Sequence, residues 1–230
     1  MAAIGILGGM GPQASGRLYE LLIGGTKRYS PARVDSDYHP EIVLLNVPVP
    51  NFITDKKDLR IAKKMLIERT ILLEQAGCIV NGIACNTAHI LLPDLQAVTK
   101  VPFLSIPKLV AEKIKASGFE RIGLLATPVT LSSTLFDDAL DGVEVVKPGN
   151  KLASKIETLI YQQLNNRIEA KDRQALRQIV DEFKETRELD AVILGCTELP
   201  LIFAKSDETV IDTLQLLADG LLESYFTQVK

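Results

Sequence analysis

The sequence predicts an α/β protein built from two related halves, each with a mostly parallel sheet. Short, nearly continuous apolar runs rich in Ile, Val and Leu alternate with longer stretches of helical period. This pattern is typical of parallel strands that helices cover on both faces. The segment IGILGG from Ile4 is echoed by IGLLAT from Ile122, and IVNGIACNT ending at Thr87 is echoed by AVILGCT ending at Thr197. We therefore expect two pseudo-symmetric three-layer α/β domains.

Short apolar runs predict the strands, and apolar stripes at helical spacing predict the helices. The predicted strands share a short apolar run and cover residues 4–8, 42–47, 79–85, 122–126, 143–146 and 191–195, with 210–212 as a further candidate. The predicted helices share an apolar stripe at helical spacing and cover residues 13–29, 59–76, 108–116, 151–164, 172–187 and 214–226.

The two halves are expected to pack closely. The segment VPFLSIP carries two prolines between them, and no Gly/Ser-rich linker separates them. We predict a first domain of residues 1–103 plus 209–230, which carries Cys85, and a second domain of residues 104–208, which carries Cys196.

Composition excludes several classes of partner. The chain has 230 residues, a net charge of -3, 5% aromatic residues and no Trp, which disfavours a nucleic-acid partner. No stretch approaches the roughly 20 apolar residues of a membrane span, and the N-terminus lacks a basic signal-peptide region. We expect no membrane association and a cytoplasmic location. An odd count of three cysteines predicts thiols rather than a disulfide framework.

Cys85 and Cys196 are the candidate catalytic residues. Each ends a predicted strand in the corresponding place of its half, and ligands of open α/β sheets bind at the carboxyl ends of strands. Two thiols facing each other across a cleft would suit proton abstraction from one face of a carbon and delivery from the other. On an amino-acid α-carbon, that chemistry is racemisation or epimerisation. A buried apolar role is the alternative for both, and is the interpretation that we adopt for Cys78.

Two further motifs have alternative interpretations. Cys85, His89 and Cys196 could share a metal, but the chain has only two His and no C-x-x-C motif, so we predict no metal site. The glycine-rich segment GILGGMG lacks the dinucleotide spacing G-x-G-x-x-G. It could instead cradle a small carboxylate with backbone N–H groups, or simply form a tight turn from strand to helix.

The chain resembles the aspartate/glutamate racemase family of cofactor-independent, two-cysteine amino-acid racemases. The resemblance covers nearly the whole chain and rests on four motifs, GGMGP, ACNTAH, LLATPVT and GCTELP, of which the first resembles the aspartate racemase branch. It implies a two-domain homodimer with the active site in the cleft between domains. It also implies an amino-acid substrate and no requirement for pyridoxal phosphate, another cofactor or a metal.

The resemblance also implies roles for individual residues. Cys85 and Cys196 match the two catalytic cysteines, one acting as base and the other as acid. Asn86, Thr87 and Thr197 match residues that hold the substrate α-carboxylate. The implied substrate-binding set consists of Met10, Gln13, Phe52, Asn86, Thr87, Thr127, Thr130, Asn165, Thr197 and Glu198.

The substrate is left open by two departures from the family pattern. Phe52 and Asn165 stand where aspartate-specific members carry Arg and Lys, which removes the clearest partners for a side-chain carboxylate. Aspartate, glutamate and a less acidic amino acid therefore all remain candidates. The alternative functions are a cis-trans isomerase of a small dicarboxylate such as maleate, and a non-catalytic amino-acid-binding protein.

Overall fold

The computed structural model describes residues 2–29, 38–50, 56–203 and 207–229. The chain divides into two compact units, one of Met1–Ser105 with Leu214–Lys230 and one of Ile106–Thr213. Each unit contains its own parallel sheet.

The sheet of the first unit has three parallel strands in the order β2-β1-β3. They are β1 (Ala3–Gly8), β2 (Glu41–Asn46) and β3 (Cys78–Ile83). The helices of this part of the chain are α1 (Pro12–Gly25), α2 (Lys56–Gln75) and α3 (Leu92–Gln96), with 3-10 helices at Thr26–Arg28 and Thr87–Leu91. A single parallel bridge between Asn81 and Phe103 extends the sheet beyond β3.

The sheet of the second unit has four parallel strands in the order β5-β4-β6-β7. They are β4 (Arg121–Leu125), β5 (Glu144–Val146), β6 (Ala191–Leu194) and β7 (Val210–Asp212). The helices that begin in this part of the chain are α4 (Ile106–Ser117), α5 (Pro128–Ser132), α6 (Asn150–Leu164), α7 (Ala170–Thr186), α8 (Leu199–Phe203) and α9 (Thr213–Gln228).

Helices cover both faces of the first sheet. A Cβ atom built on Gly5 of β1 would lie 3.1 Å from Leu73 of α2, whereas one built on Gly82 of β3 would lie 2.9 Å from Leu221 of α9. All six residues of β1 are buried, which explains its continuous apolar sequence. The predicted α/β class with parallel sheets is confirmed.

Two features differ from the sequence-based expectations. Residue 209 was expected to return the chain to the first domain, but β7 pairs with β6, so the chain returns at Leu214. The structure also contains short helices directly after β3, β4 and β6. Their five residues span little more than one turn, which is too short to produce a recognisable apolar period.

Candidate active site

Cys85 lies at the carboxyl edge of the first sheet. The backbone N–H of Ala84 donates to the carbonyl of Leu7 in the central strand at 2.9 Å, and Cys85 is the next residue. The Cys85 side chain is buried, with 8% of its surface exposed. Asn86 and Thr87 follow it at the start of a five-residue 3-10 helix and are also buried. The peptide dipoles of so short a helix sum to a small partial charge, so this helix supports a Cys85 thiolate only weakly.

Cys196 lies at the carboxyl edge of the second sheet. The N–H of Gly195 donates to the carbonyl of Leu125, again in the central strand, at 2.7 Å. Cys196 is the next residue and is 7% exposed. A Cβ on Gly195 would lie 3.2 Å from the Leu125 carbonyl oxygen, so a larger residue would disturb the strand end that carries the cysteine.

The two cysteines therefore occupy equivalent positions in a structural repeat. In each sheet the first strand of the half lies between the second and third strands, and the second sheet has β7 as an additional edge strand. In each half, the residue before the cysteine donates its backbone N–H to the carbonyl of the last leucine of the first strand. The sequence echo thus corresponds to a matching position in the structure, in which a cysteine stands two residues beyond the end of the third strand of each sheet.

His89 supports the backbone at Cys85. Its ring Nδ1 lies 2.9 Å from the Cys85 carbonyl oxygen, which fixes the turn that follows the strand. Complete burial lowers the pKa of His89 to about 4, although backbone hydrogen bonds with Cys85, Leu104 and Asn86 oppose this. The ring is therefore neutral at pH 7 and has a structural role.

Protonation of His89 should make the protein less stable in acid. The unfolded chain binds this proton with a pKa of about 6.5 and the folded chain only with a pKa of about 4, so the unfolded state binds more protons between these values. The contribution of His89 is present above pH 6.5 and falls as the pH decreases, by roughly 3 kcal/mol in total. Urea denaturation from pH 7 to pH 4 should show a shallower loss for His89→Asn than for the wild type or for His39→Asn. An equal loss of unfolding free energy between pH 7 and pH 4 in all three proteins would contradict a contribution from His89.

The glycine-rich loop after β1 is closed by Ser15. Its Oγ accepts from the N–H of Gly9 at 2.9 Å and donates to the carbonyl of Gly11 at 3.1 Å. These contacts describe a tight turn from β1 into α1, which was one of the two interpretations of this motif. Met10 packs against the apolar cluster that contains Cys85. Gln13, in the first turn of α1, is half-buried.

Thr127 and Thr130 lie at the same edge as Cys196, because they follow the central strand β4. Thr127 is the N-cap of α5, and its Oγ1 accepts from the backbone N–H of Thr130 at 3.3 Å. The two hydroxyl groups are 3.1 Å apart and both residues are buried. A stable helix start explains why threonine stands at position 127.

Glu198 contacts the thiol of Cys196. Its Oε2 accepts from the Cys196 Sγ at 2.8 Å and from the Thr197 Oγ1 at 3.2 Å. Only 2% of the Glu198 surface is exposed. Sequence reasoning had placed Glu198 among the substrate-binding residues, and it missed this contact. The sequence feature that could have predicted this contact is the Glu two residues after the cysteine in the GCTE motif.

The remaining predicted residues lie apart from these contacts or outside the described residues. Asn165 is exposed at the end of α6, where its Nδ2 donates to the carbonyl of Tyr161 at 2.7 Å. Phe52 lies outside the described residues. Cys78 is buried at the start of β3, where burial raises the pKa of its thiol to about 11. All three cysteines lie in the described part of the chain, and none forms a disulfide.

Two absences hold for the described ranges. Between residues 2 and 229, leaving out the three gaps at 30–37, 51–55 and 204–206, no group of three or more His, Cys, Asp or Glu is placed to hold a metal ion. Within the same ranges, no helix combines the length and the apolar character that a membrane crossing requires.

Comparison with known proteins identifies the family. The family model for Asp/Glu/hydantoin racemases matches residues 7–221. The chain belongs to this family. The resemblance predicted from GGMGP, ACNTAH, LLATPVT and GCTELP is thus confirmed.

Relatives within the racemase family extend over nearly the whole chain. The broad specificity amino-acid racemase RacX of Bacillus subtilis is 27% identical, over 96% of this chain and 97% of its own length. An aspartate racemase homologue from Pyrococcus horikoshii is 28% identical with a TM-score of 0.78, covering 97% of this chain and 98% of that one. The aspartate racemase of Picrophilus torridus is 29% identical with a TM-score of 0.77, covering 97% and 94%.

Proposed function

We propose that this racemase-family member inverts the α-carbon of an amino acid by proton transfer to and from the thiols of Cys85 and Cys196, without a cofactor. The observation that carries the proposal is the equivalent placement of the two cysteines, each two residues beyond the third strand of its sheet. Racemisation needs a base on one face of a carbon and an acid on the other. Two chemically identical groups in a repeated fold meet that requirement.

The reaction balances with the two thiols alone. The Cys85 thiolate removes the α-proton, so a C–H bond breaks, an S–H bond forms, and the electron pair of the α-carbon is delocalised into the carboxylate. The Cys196 thiol then gives its proton to the opposite face. In the reverse direction the roles are exchanged. No electrons leave the substrate, so the chemistry requires neither an oxidant nor a reductant.

The α-carboxylate is proposed to bind beside Cys85. Asn86 and Thr87 are buried and begin the short helix directly after the cysteine, which gives them polar groups next to the thiol. Thr197 is less suited to this role than the sequence indicated, because its hydroxyl donates to Glu198. Met10, Gln13, Thr127 and Thr130 are retained as proposed substrate contacts, as the family resemblance implies.

We propose a substrate range that includes amino acids less acidic than aspartate. A broad specificity racemase is similar to this chain over nearly its full length. The amide of Asn165, which stands where aspartate-specific members carry Lys, donates to its own helix. A neutral side chain at that position gives a substrate carboxylate no opposite charge.

The test is a screen of the common amino acids, each as a pure enantiomer, with purified protein and no added pyridoxal phosphate. Chiral chromatography should detect interconversion of at least one amino acid. The double variant Cys85→Ala/Cys196→Ala, purified in the same way, controls for a contaminating racemase. Maleate isomerisation without amino-acid turnover, or amino-acid binding by calorimetry without turnover, would overturn the proposal in favour of the corresponding alternative.

We further propose that the protein acts in the cytoplasm as a homodimer, as the family resemblance implies. Light scattering coupled to size-exclusion chromatography should give twice the 25.2 kDa mass of one chain. A mass of one chain at micromolar concentration would contradict the dimer.

A further inference from the structure

The two halves differ in the residues that follow their cysteines. Cys85 is followed by Asn86 and Thr87, whereas Cys196 is followed by Thr197 and Glu198. The structural repeat makes the second residue after each cysteine equivalent, so an acid stands in the second half where a threonine stands in the first. The two thiols therefore have chemically different surroundings.

The acid is directed at the thiol. The Oε2 of Glu198 accepts from the Cys196 Sγ at 2.8 Å and from the Thr197 hydroxyl at 3.2 Å. Glu198 is 2% exposed and Cys196 7% exposed, so water screens their interaction little. A carboxylate and a thiolate at this separation would repel each other strongly, whereas a carboxylate and a thiol form a hydrogen bond.

We propose that Glu198 is a positioning residue that keeps the proton on Cys196, so that in the resting enzyme Cys196 is the acid and Cys85 the base. This inference rests on the proposed function for its catalytic consequence, but the proton position itself is independent of any substrate. Turnover in this direction transfers the α-proton to the Cys85 sulfur and the Cys196 proton to carbon. Solvent water then removes the proton from Cys85 and returns one to Cys196, which restores the resting state.

Two other charged groups lie on elements that pack near Cys196. Asp212 pairs with Leu194 in the neighbouring strand β7, close to the end of β6. Arg173 of α7 donates to the carbonyls of Leu201 at 2.8 Å and Ile202 at 3.3 Å, at the far end of α8. Both groups are unchanged in the variants below, so their effect on Cys196 is constant across the comparison.

The proton position can be measured without activity. In the full chain carrying Cys78→Ala and Cys85→Ala, Cys196 is the remaining thiol, and its thiolate is followed by ultraviolet absorbance against the same protein with Cys196→Ala. Adding Glu198→Gln should lower the midpoint of this titration by at least about one pH unit, because the like charge is gone. Glu208→Gln, at an exposed acid, is the matched control and should leave the midpoint unchanged. Equal midpoints with and without Glu198 would overturn the proposal.

A second titration needs no change at Glu198. In the chain carrying Cys78→Ala and Cys196→Ala, Cys85 is the remaining thiol. It should titrate at least about one pH unit below Cys196 in the matching variant, because Thr87 supplies no negative charge. A Cys85 midpoint equal to or above that of Cys196 would contradict the assignment of acid and base, even if Glu198→Gln failed to fold.

In the enzyme with all three cysteines, Glu198→Gln should move the alkaline limb of the kcat/KM profile to lower pH, because the proton of the acid is lost more readily. Both enantiomers should be affected equally, since they have the same free energy. A loss of kcat/KM with an unmoved pH profile would show a merely structural role. A shifted thiol titration in a protein that racemises no amino acid would support the proton position and overturn the proposed function instead.

Discussion

Replacing either Cys85 or Cys196 by alanine should lower kcat/KM for racemisation by about 10³-fold or more. Each thiol has a separate step, removal of the α-proton or its replacement, and a positioned acid or base contributes roughly 10²–10⁴-fold. The effects of the two replacements should not add, because loss of either step already stops inversion. Chiral chromatography of the amino acid identified in the screen provides the measurement.

Cys78→Ala is the matched control for these variants. Cys78 is also a buried cysteine, but it lies at the start of β3 rather than beyond its end, and burial raises the pKa of its thiol to about 11. It is therefore protonated and unreactive at pH 7. Cys78→Ala should lose stability through a small cavity and keep kcat/KM within about twofold. Full activity in Cys85→Ala or Cys196→Ala, or inactivity in a folded Cys78→Ala, would refute the assignment.

Gly9→Ala should destabilise the first unit by roughly 3 kcal/mol. Gly9 has a φ of +94°, and an added Cβ would lie 2.5 Å from the carbonyl oxygen and 2.6 Å from the nitrogen of Val47. Both the positive φ and the clash with rigid backbone oppose alanine, at about 1–3 kcal/mol each. The midpoint of thermal unfolding should fall by about 10 °C.

Gly16→Ala is the corresponding control, because Gly16 lies in α1 with nothing within 4 Å of the added Cβ. Alanine there should be neutral or should stabilise the protein by about 0.5–1 kcal/mol, since it reduces the entropy of the unfolded chain. Circular dichroism on both variants gives the comparison. A Gly9→Ala midpoint equal to that of Gly16→Ala would show that the loop adapts to a side chain.

Much of the fold could be predicted because a strand that is buried on both faces has a nearly continuous apolar sequence. The sequences of β1, β3 and β6 are almost purely apolar, and their echo across the halves is enough to predict the repeat. The cysteines were located by the same argument, since a residue that ends such a strand lies at the edge where ligands of α/β sheets bind. The equivalent register of Ala84 and Gly195 then follows from the repeat.

The contacts within the site were harder to predict. Whether Glu198 reaches the thiol or the substrate depends on the backbone path over two residues, which composition and periodicity do not specify. Residues 210–212 could be recognised as a candidate strand, but a three-residue strand has no measurable period from which to predict that it pairs with β6. Short polar segments after strands are determined by hydrogen bonds such as the one between His89 and the Cys85 carbonyl, and these depend on the finished fold.

The most direct test of the two-thiol account is the distribution of deuterium during the first turnovers in D2O, starting from one enantiomer of the identified substrate. A thiol carries a single proton, so the base that removes the α-hydrogen can only return that same hydrogen to the face it left. The account predicts one deuterium at the α-carbon of the product enantiomer and almost none in the recovered substrate, by mass spectrometry after chiral separation. Equal labelling of both enantiomers would indicate one base acting on both faces and would contradict the paired roles of Cys85 and Cys196.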